Sequence, residues 1–283
     1  MPPAPVTVTS LTRYPLKSGR PELLVQAEVE PWGLAGDRRW MVVDEAGRTL
    51  TGRQVPGLVL LGALADDDAL MLLADGRPPV RVPTPAGPDR VPVEIFGSRF
   101  AATPAPGADD WLAEVLGRPV HLLHLSDPRG RAADQAYADP GDTVSLADGF
   151  PLLLTTEDSL LALEDWVAAG PRPQEGPLGM GRFRPNLVVA GAPAWAEDQW
   201  RRLRVGGVVL RAVKGCARCS FTLVDPDTAA RTKEPLTSLA RHRRYDGKTW
   251  FGVNLVPEQP SGRIRVGDAV EVLEVADEPG PLR

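Results

Sequence analysis

The feature that most constrains this chain is how often its apolar runs are broken. There are 28 glycines and 30 prolines among 283 residues, about a fifth of the total. Glycine punctuates turns, and proline fixes φ while removing a backbone donor. This content favours many short elements joined by turns. The fraction stays below that of disordered chains, and 43% apolar with 24% charged residues is an ordinary globular profile. From residue 6 to about 100 the short runs are strand-like. Val6–Thr9 alternates, Leu23–Glu30 and Trp40–Val43 are β-type, and Asp44–Gly47 reads as a hairpin turn leading into Arg48–Thr51. Leu58–Leu64 and Ala69–Leu73 flank an Asp-rich turn, and the Pro-rich stretch 78–88 is loop or edge strand. This spacing predicts a barrel or sandwich.

Helical signals are few. Ala108–Leu116 is amphipathic and stops at Gly117. A second helix opens at Thr156, a capping residue with acidic neighbours, and runs to about Ala169. Leu236–Tyr245 is a short helix candidate. Residues 127–142 read as a mobile polar loop and 170–181 as a Gly/Pro-rich one. Strands return at Asn186–Ala190, Val208–Lys214, Ser220–Val224, Phe251–Leu255 and Ala269–Leu273. A soft division falls between about 78 and 108, giving parts 1–100 and 101–283 that share a surface.

The scarce residues exclude whole function classes. Two cysteines, Cys216 and Cys219, are too few for an all-cysteine iron–sulfur cluster or a disulfide scaffold. The three histidines, His121, His124 and His242, are scattered, and the first two sit in an apolar run as structural residues do. A net charge of −5 argues against a broad nucleic-acid surface. No secretory leader is visible and no apolar run nears the ~20 residues that span a bilayer. No membrane association and a cytoplasmic location are expected. Glycine-rich phosphate motifs are missing, which argues against the usual nucleotide folds.

Three constellations can carry chemistry. In Val213–Thr228, Lys214 and Arg218 precede Cys219, and neighbouring cations favour thiolate. A thiolate there is a nucleophile, a redox thiol or a metal ligand; the plain alternative is two cysteines packed as small hydrophobes. The pair leads into β-branched and aromatic residues, unlike a thioredoxin motif. In Tyr14–Ser18 and Gly36–Trp40, Lys17, Ser18 and Arg38 can bind a phosphate or carboxylate, or be a solvated lysine and an Asp37–Arg38 pair. In Arg182–Gly191, Pro185 biases Arg184 to an extended conformation, so that Arg184 and Asn186 project to one side.

Together these segments resemble the MOSC family, particularly its amidoxime-reducing branch. The strings that carry the likeness are YPLKS (14–18), GDRRW (36–40), TGRQ (51–54), FRPNLVVAG (183–191), CARCSFTLVDPDT (216–228), KEPL (233–236), FGVN (251–254) and VGDAVEVL (266–273). The resemblance implies a mainly β (α+β) fold: an N-terminal MOSC-type β-barrel-like domain, then a MOSC β-barrel domain with a few short helices. It implies a molybdenum cofactor, molybdopterin without a nucleotide, with Cys219 as metal ligand and Cys216 as its neighbour. Lys17, Ser18 and Arg38 match positions that hold the cofactor's anionic end. Thr156, Arg184, Asn186 and Arg218 match positions that line the pterin and phosphate pocket. Asp225 is a candidate proton donor near the metal. The implied activity is two-electron reduction of N-hydroxylated compounds, amidoximes and hydroxylamines. The alternatives are a sulfur carrier or transferase using a Cys219 persulfide, and a non-catalytic cofactor-binding or storage protein. The family also carries an association with pyridoxal phosphate binding. Some bacterial relatives add a C-terminal iron–sulfur domain and mitochondrial ones an N-terminal anchor; no match to either is seen here. Electrons are therefore expected from a separate donor protein. A cysteine found after the RPN strand in some relatives is Ala192 here.

Overall fold

The computed structural model describes residues 5–66 and 68–277; the first four residues of the N-terminal stretch and Asp67 of the Asp-rich turn lie outside the described residues. Among the described residues the short runs pair into four sheets. The largest has nine strands, in the order 270–275, 200–205, 208–218, 248–257, 152–156, 187–190, 7–13 and 22–24, with 244–245 paired to 248–257. Three α-helices accompany the sheets: α1 (Asp109–Leu116), α2 (Glu157–Ala168) and α3 (Leu236–His242). Strands 152–156 and 187–190 run parallel. A parallel pair needs a crossover, and α2 lies within the connection.

The beginning of the chain is woven into sheets completed by its end. Strand 7–13 pairs with 187–190, and strand 26–30 pairs with 262–265. Val8, Leu11, Leu154, Leu187, Leu203, Leu210, Val253 and Leu255 form one buried cluster inside this arrangement. Strands 62–65, 69–73 and 80–83 form a second sheet, and 40–43, 121–124, 98–104 and 91–95 a third. Leu16, Trp40, Val42, Leu58, Leu70 and Leu112 make the core between them. The architecture is mainly β, as expected.

Several elements depart from the sequence reading for local reasons. Leu58–Leu64 is not one strand: Pro56 opens a 3-10 turn over Pro56–Leu60 and pairing starts only at Gly62. Ser220–Val224 is not a strand either: Ser220–Leu223 is a 3-10 turn, because the strand ends at Arg218, opposite Thr249, and Thr222 N–H folds back to the Cys219 carbonyl. Cys219 therefore leaves a strand rather than entering one. The polar stretch 127–142 is irregular yet anchored. Ala133 and Ala138 are buried with Phe150 and Val213, and Ala133 N–H and Val144 N–H bond to Asp142 and Arg131 carbonyls. Leu23–Glu30 is split at Val25.

Thr156 caps α2 by accepting the Ser159 N–H at 3.0 Å. Beneath that cap lies Glu197, fully buried, whose Oε2 accepts the Ser159 hydroxyl at 2.9 Å. Burial pushes its carboxyl up to about 7. Between about pH 4.5 and 7 the folded state thus holds a proton that the unfolded chain has released, and stability falls as pH rises through that window. Glu197→Gln should flatten this fall. In denaturant titrations its advantage over the wild type at pH 8 should exceed that at pH 4 by about 1–3 kcal/mol; parallel profiles would refute the assignment.

Candidate functional site

A cavity of about 250 Å3 lies where strand 208–218 meets the loops at 17–18, 38, 51–53 and 147–150. Its wall carries six cations, Lys17, Arg38, Arg53, Arg184, Lys214 and Arg218, and one carboxylate, Asp148. In a chain of net charge −5 this is a strong local concentration of positive charge, suited to an anion.

Backbone irregularity builds the wall. Strand 208–218 slips register against 248–257 between Ala212 and Lys214 and again between Gly215 and Ala217. Each β-bulge re-aims the side chains that follow. Lys214 to Cys219 consequently all line the cavity, which strict alternation along a strand forbids. Ser18, Arg38 and Arg184 have φ of 68°, 48° and 56°, three of the seven non-glycine residues in the left-handed region among the described residues. Such strain clusters where surrounding contacts over-determine a site. Arg184 is therefore not extended, despite Pro185. It closes the 3-10 turn Met180–Phe183, and its guanidinium returns over the Tyr14 ring at 4.0 Å.

Tyr14 is the platform for two arginines, since Arg38 also lies over its ring at 4.5 Å. Burial pushes the Tyr14 hydroxyl up to about 12, and it donates to the Pro185 carbonyl. Arg38 is fixed by Asp37 Oδ2 at 2.6 Å, Asn186 Oδ1 at 3.2 Å and the Arg184 carbonyl. Asn186 also accepts Leu153 N–H and donates to the Thr12 carbonyl, so its amide positions Arg38. Arg184 donates to the Gly19 carbonyl at 2.7 Å, and burial lowers its pKa to about 10. Arg218 donates to Cys216 Sγ at 2.8 Å and to the Phe183 carbonyl. Arg184 Nη2 and Arg218 Nε are buried donors with no hydrogen-bond partner among the described residues.

Two buried cations shape the loop that closes the cavity. Lys17 Nζ donates to the Leu146 carbonyl at 2.8 Å and to Asp148 Oδ1 at 2.6 Å. Arg131 donates to the Ser145, Ala147 and Asp148 carbonyls. Burial lowers Lys17, which Asp148 opposes. Burial would raise Asp148, but Lys17, Arg53 and Arg38 outweigh it and hold the carboxyl at about 2. Lys17 has three N–H donors and spends two, leaving one for a ligand. Arg53 Nη1 lies 3.6 Å from Cys219 Sγ and 3.8 Å from Asp148 Oδ2. Gly52 allows this approach, since a Cβ there would stand 2.3 Å from the Phe221 ring. Cys219 is exposed and Cys216 partly buried.

Lys17, Ser18, Arg38, Arg184, Asn186, Cys216, Arg218 and Cys219 thus come together around one cavity. Two expected residues do not. Thr156 lies outside the lining, its hydroxyl spent on Ser159. Asp225 also lies outside: it accepts Thr228 N–H and hydroxyl and pairs with Arg182 at 2.8 Å. Burial would raise its carboxyl, but the Thr228 hydrogen bonds outweigh this and hold it below the usual range, which is wrong for a proton donor. Arg53 and Asp148 line the cavity without being expected there from the sequence. Arg53 lies in the TGRQ string, whereas nothing local marks Asp148. Among the described residues no group of three or more His, Cys, Asp or Glu side chains can hold a metal by itself. Nor is any helix of the described residues long and apolar enough to cross a membrane.

Two family models match successive stretches of the chain. Residues 5–119 match the MOSC N-terminal beta barrel domain, and residues 141–271 match the MOSC domain. The chain belongs to the MOSC family. It is similar to mitochondrial amidoxime-reducing component 1 of Homo sapiens, with 34% identity covering 94% of this chain and 83% of that protein. Mitochondrial amidoxime reducing component 2 of Bos taurus is 31% identical over 93% of this chain and 82% of its own length. The molybdenum cofactor sulfurase of Oryza sativa subsp. japonica is 28% identical over 88% of this chain but only 32% of that protein.

Arg131 is the sole source of two carbonyl contacts in the closing loop among the described hydrogen bonds. Arg131→Met should lower stability by about 2–4 kcal/mol in chemical denaturation, because buried carbonyls lose their donors. A change below about 0.5 kcal/mol would show that the loop holds without it.

Proposed function

We propose that this chain is a molybdenum-cofactor-dependent oxidoreductase that reduces N-hydroxylated compounds, amidoximes and hydroxylamines. The observation that carries the reading is an exposed thiol, Cys219, at a cavity with six lining cations and two buried arginine donors lacking acceptors. The names of its relatives, amidoxime-reducing components and molybdenum cofactor sulfurases, point to the chemistry that such a site can serve.

The residues present fit molybdopterin without a nucleotide. That group carries a phosphate and its own soft sulfurs, so it asks the protein for cations and one soft thiolate rather than a full ligand set. Cys219 would supply the thiolate. Arg184 Nη2, Arg218 Nε, the remaining Lys17 N–H and the Ser18 hydroxyl would hold the anionic and heterocyclic parts. Arg38 and Asn186 are largely satisfied within the protein and would set the shape of the wall. When bound, the cofactor supplies two-electron redox chemistry and an acceptor for oxygen.

The overall change converts an N–OH compound, two electrons and two protons into the N–H compound and water. Asp148 stays ionised near neutral pH, so it orients Lys17 and Arg53 rather than donating a proton. Cys219 is open to solvent, which can deliver the protons. With two cysteines in the whole chain, the electrons would come from a separate donor protein.

The test is elemental and pterin analysis of protein made in a cofactor-competent host, with benzamidoxime reduction by an artificial donor. About one molybdenum and one pterin per chain are expected. Cys219→Ala should lose more than about 100-fold in activity, and Cys216→Ala within about tenfold, as for a residue outside the ligand set. Loss confined to Cys216→Ala would move the ligand to that position. Labile sulfane sulfur without molybdenum or pterin would favour the persulfide carrier, and a loaded but inactive protein the storage reading.

A further inference from the structure

Strands 91–95 and 98–104 are joined by a two-residue turn, Phe96-Gly97. Both residues have positive φ, 48° and 83°, the arrangement of a type I′ hairpin. Asparagine, aspartate or glycine suits the first position, and a bulky side chain there is a steric outlier. Core packing does not explain the phenylalanine either, since Phe96 is 69% exposed.

What the ring touches is informative. The Arg53 guanidinium carbon lies 4.9 Å from its centroid, and the same guanidinium reaches within 3.6 Å of Cys219 Sγ. One side chain therefore separates an exposed aromatic ring from the thiol of the site. The hairpin is held firmly enough to present that ring. Val93 and Ile95 are buried, and Thr49 Oγ1 donates to the Glu94 carbonyl at 3.1 Å. Tyr137 repeats the pattern: it is exposed at 36%, Lys214 Nζ sits 3.6 Å from its centroid, and it meets Phe150 edge-on. Lys214 and Phe150 both line the cavity.

We propose that Phe96 is a substrate-specificity residue that favours aryl over small alkyl N-hydroxylated compounds, its ring packing on the aromatic body while the N–O group lies toward Cys219. This rests on the reductase reading and names the substrate class. One side of the Phe96 ring is covered by Arg53, and the remainder is free to stack or meet a second ring edge-on, an interaction an alkyl substrate lacks. The turn keeps a strained residue because the substrate, not the fold, uses it.

The experiment compares wild type, Phe96→Asn and Phe96→Trp, each checked for molybdenum and pterin content. Benzamidoxime and acetamidoxime are titrated without reductant for Kd, then assayed with an artificial donor for KM and kcat. Phe96→Asn should keep its cofactor and match or exceed the wild-type Tm, because Asn-Gly suits the turn. It should weaken benzamidoxime Kd and KM about 3- to 10-fold with kcat little changed. Acetamidoxime constants should not move, and Phe96→Trp should restore benzamidoxime binding. A loaded wild type that binds both amidoximes, with Phe96→Asn changing neither or weakening both equally, overturns this proposal alone. A wild type without molybdenum and pterin overturns the reductase reading and this proposal with it.

Discussion

Lys17 and Arg131 are cations taken out of water, and what answers their charge is one short piece of backbone. Between them they hold the carbonyls of Ser145, Leu146, Ala147 and Asp148, and Lys17 adds the Asp148 carboxylate. Buried cations are tolerated only when paired and hydrogen-bonded. The requirement works in both directions. The cations need the loop to stay close, and the loop's carbonyls need donors because they face the interior. Lys17 comes from the first part of the chain, and the loop opens the second. The same contact therefore joins the two halves and shapes the floor of the cavity.

From that junction the site follows through irregularities rather than regular elements. Two register shifts between strands 208–218 and 248–257, the first with its extra residue on 208–218 and the second on 248–257, accompany the run of consecutive residues at one cavity, and three residues in the left-handed region carry groups that line it. Tyr14 lets Arg38 and Arg184 share one ring, and Asp37 balances the charge beneath them. The result is an electropositive pocket whose donors are partly spent on the protein and partly uncommitted. Arg184 Nη2 and Arg218 Nε are the uncommitted ones among the described residues.

Much of the fold was legible because its signals are local. Gly117 stopping α1, Thr156 capping α2 and the alternation of the short strands each rest on residues a few positions apart. Local pattern and final structure part where a distant partner decides. Ser220–Val224 has strand-like residues, but the ladder with strand 248–257 ends at Arg218 opposite Thr249, close to where that strand begins. Arg184 precedes a proline, yet Tyr14 and Gly19 draw it into a left-handed turn. Thr156 and Asp225 have the right chemistry for a site, but their own neighbours consume it. Asp148 is the opposite case: nothing in its own sequence context marks it, because its partners Lys17 and Arg53 lie more than ninety residues away.

The sequence by itself determined that this chain is a chain of short strands, that it has a single pair of cysteines, and that its cations recur beside glycine, proline and asparagine in motifs with a family likeness. Those properties depend on residue type and short spacing, which sterics and hydrogen-bonding capacity translate directly. Only the tertiary structure decided which cations are free and which are spent, which cysteine is open to solvent, and which carboxylate shares the cavity. Those depend on burial and on contacts between residues far apart in the chain. Charge in a low-dielectric interior is governed by its neighbours in space, and no local pattern records them.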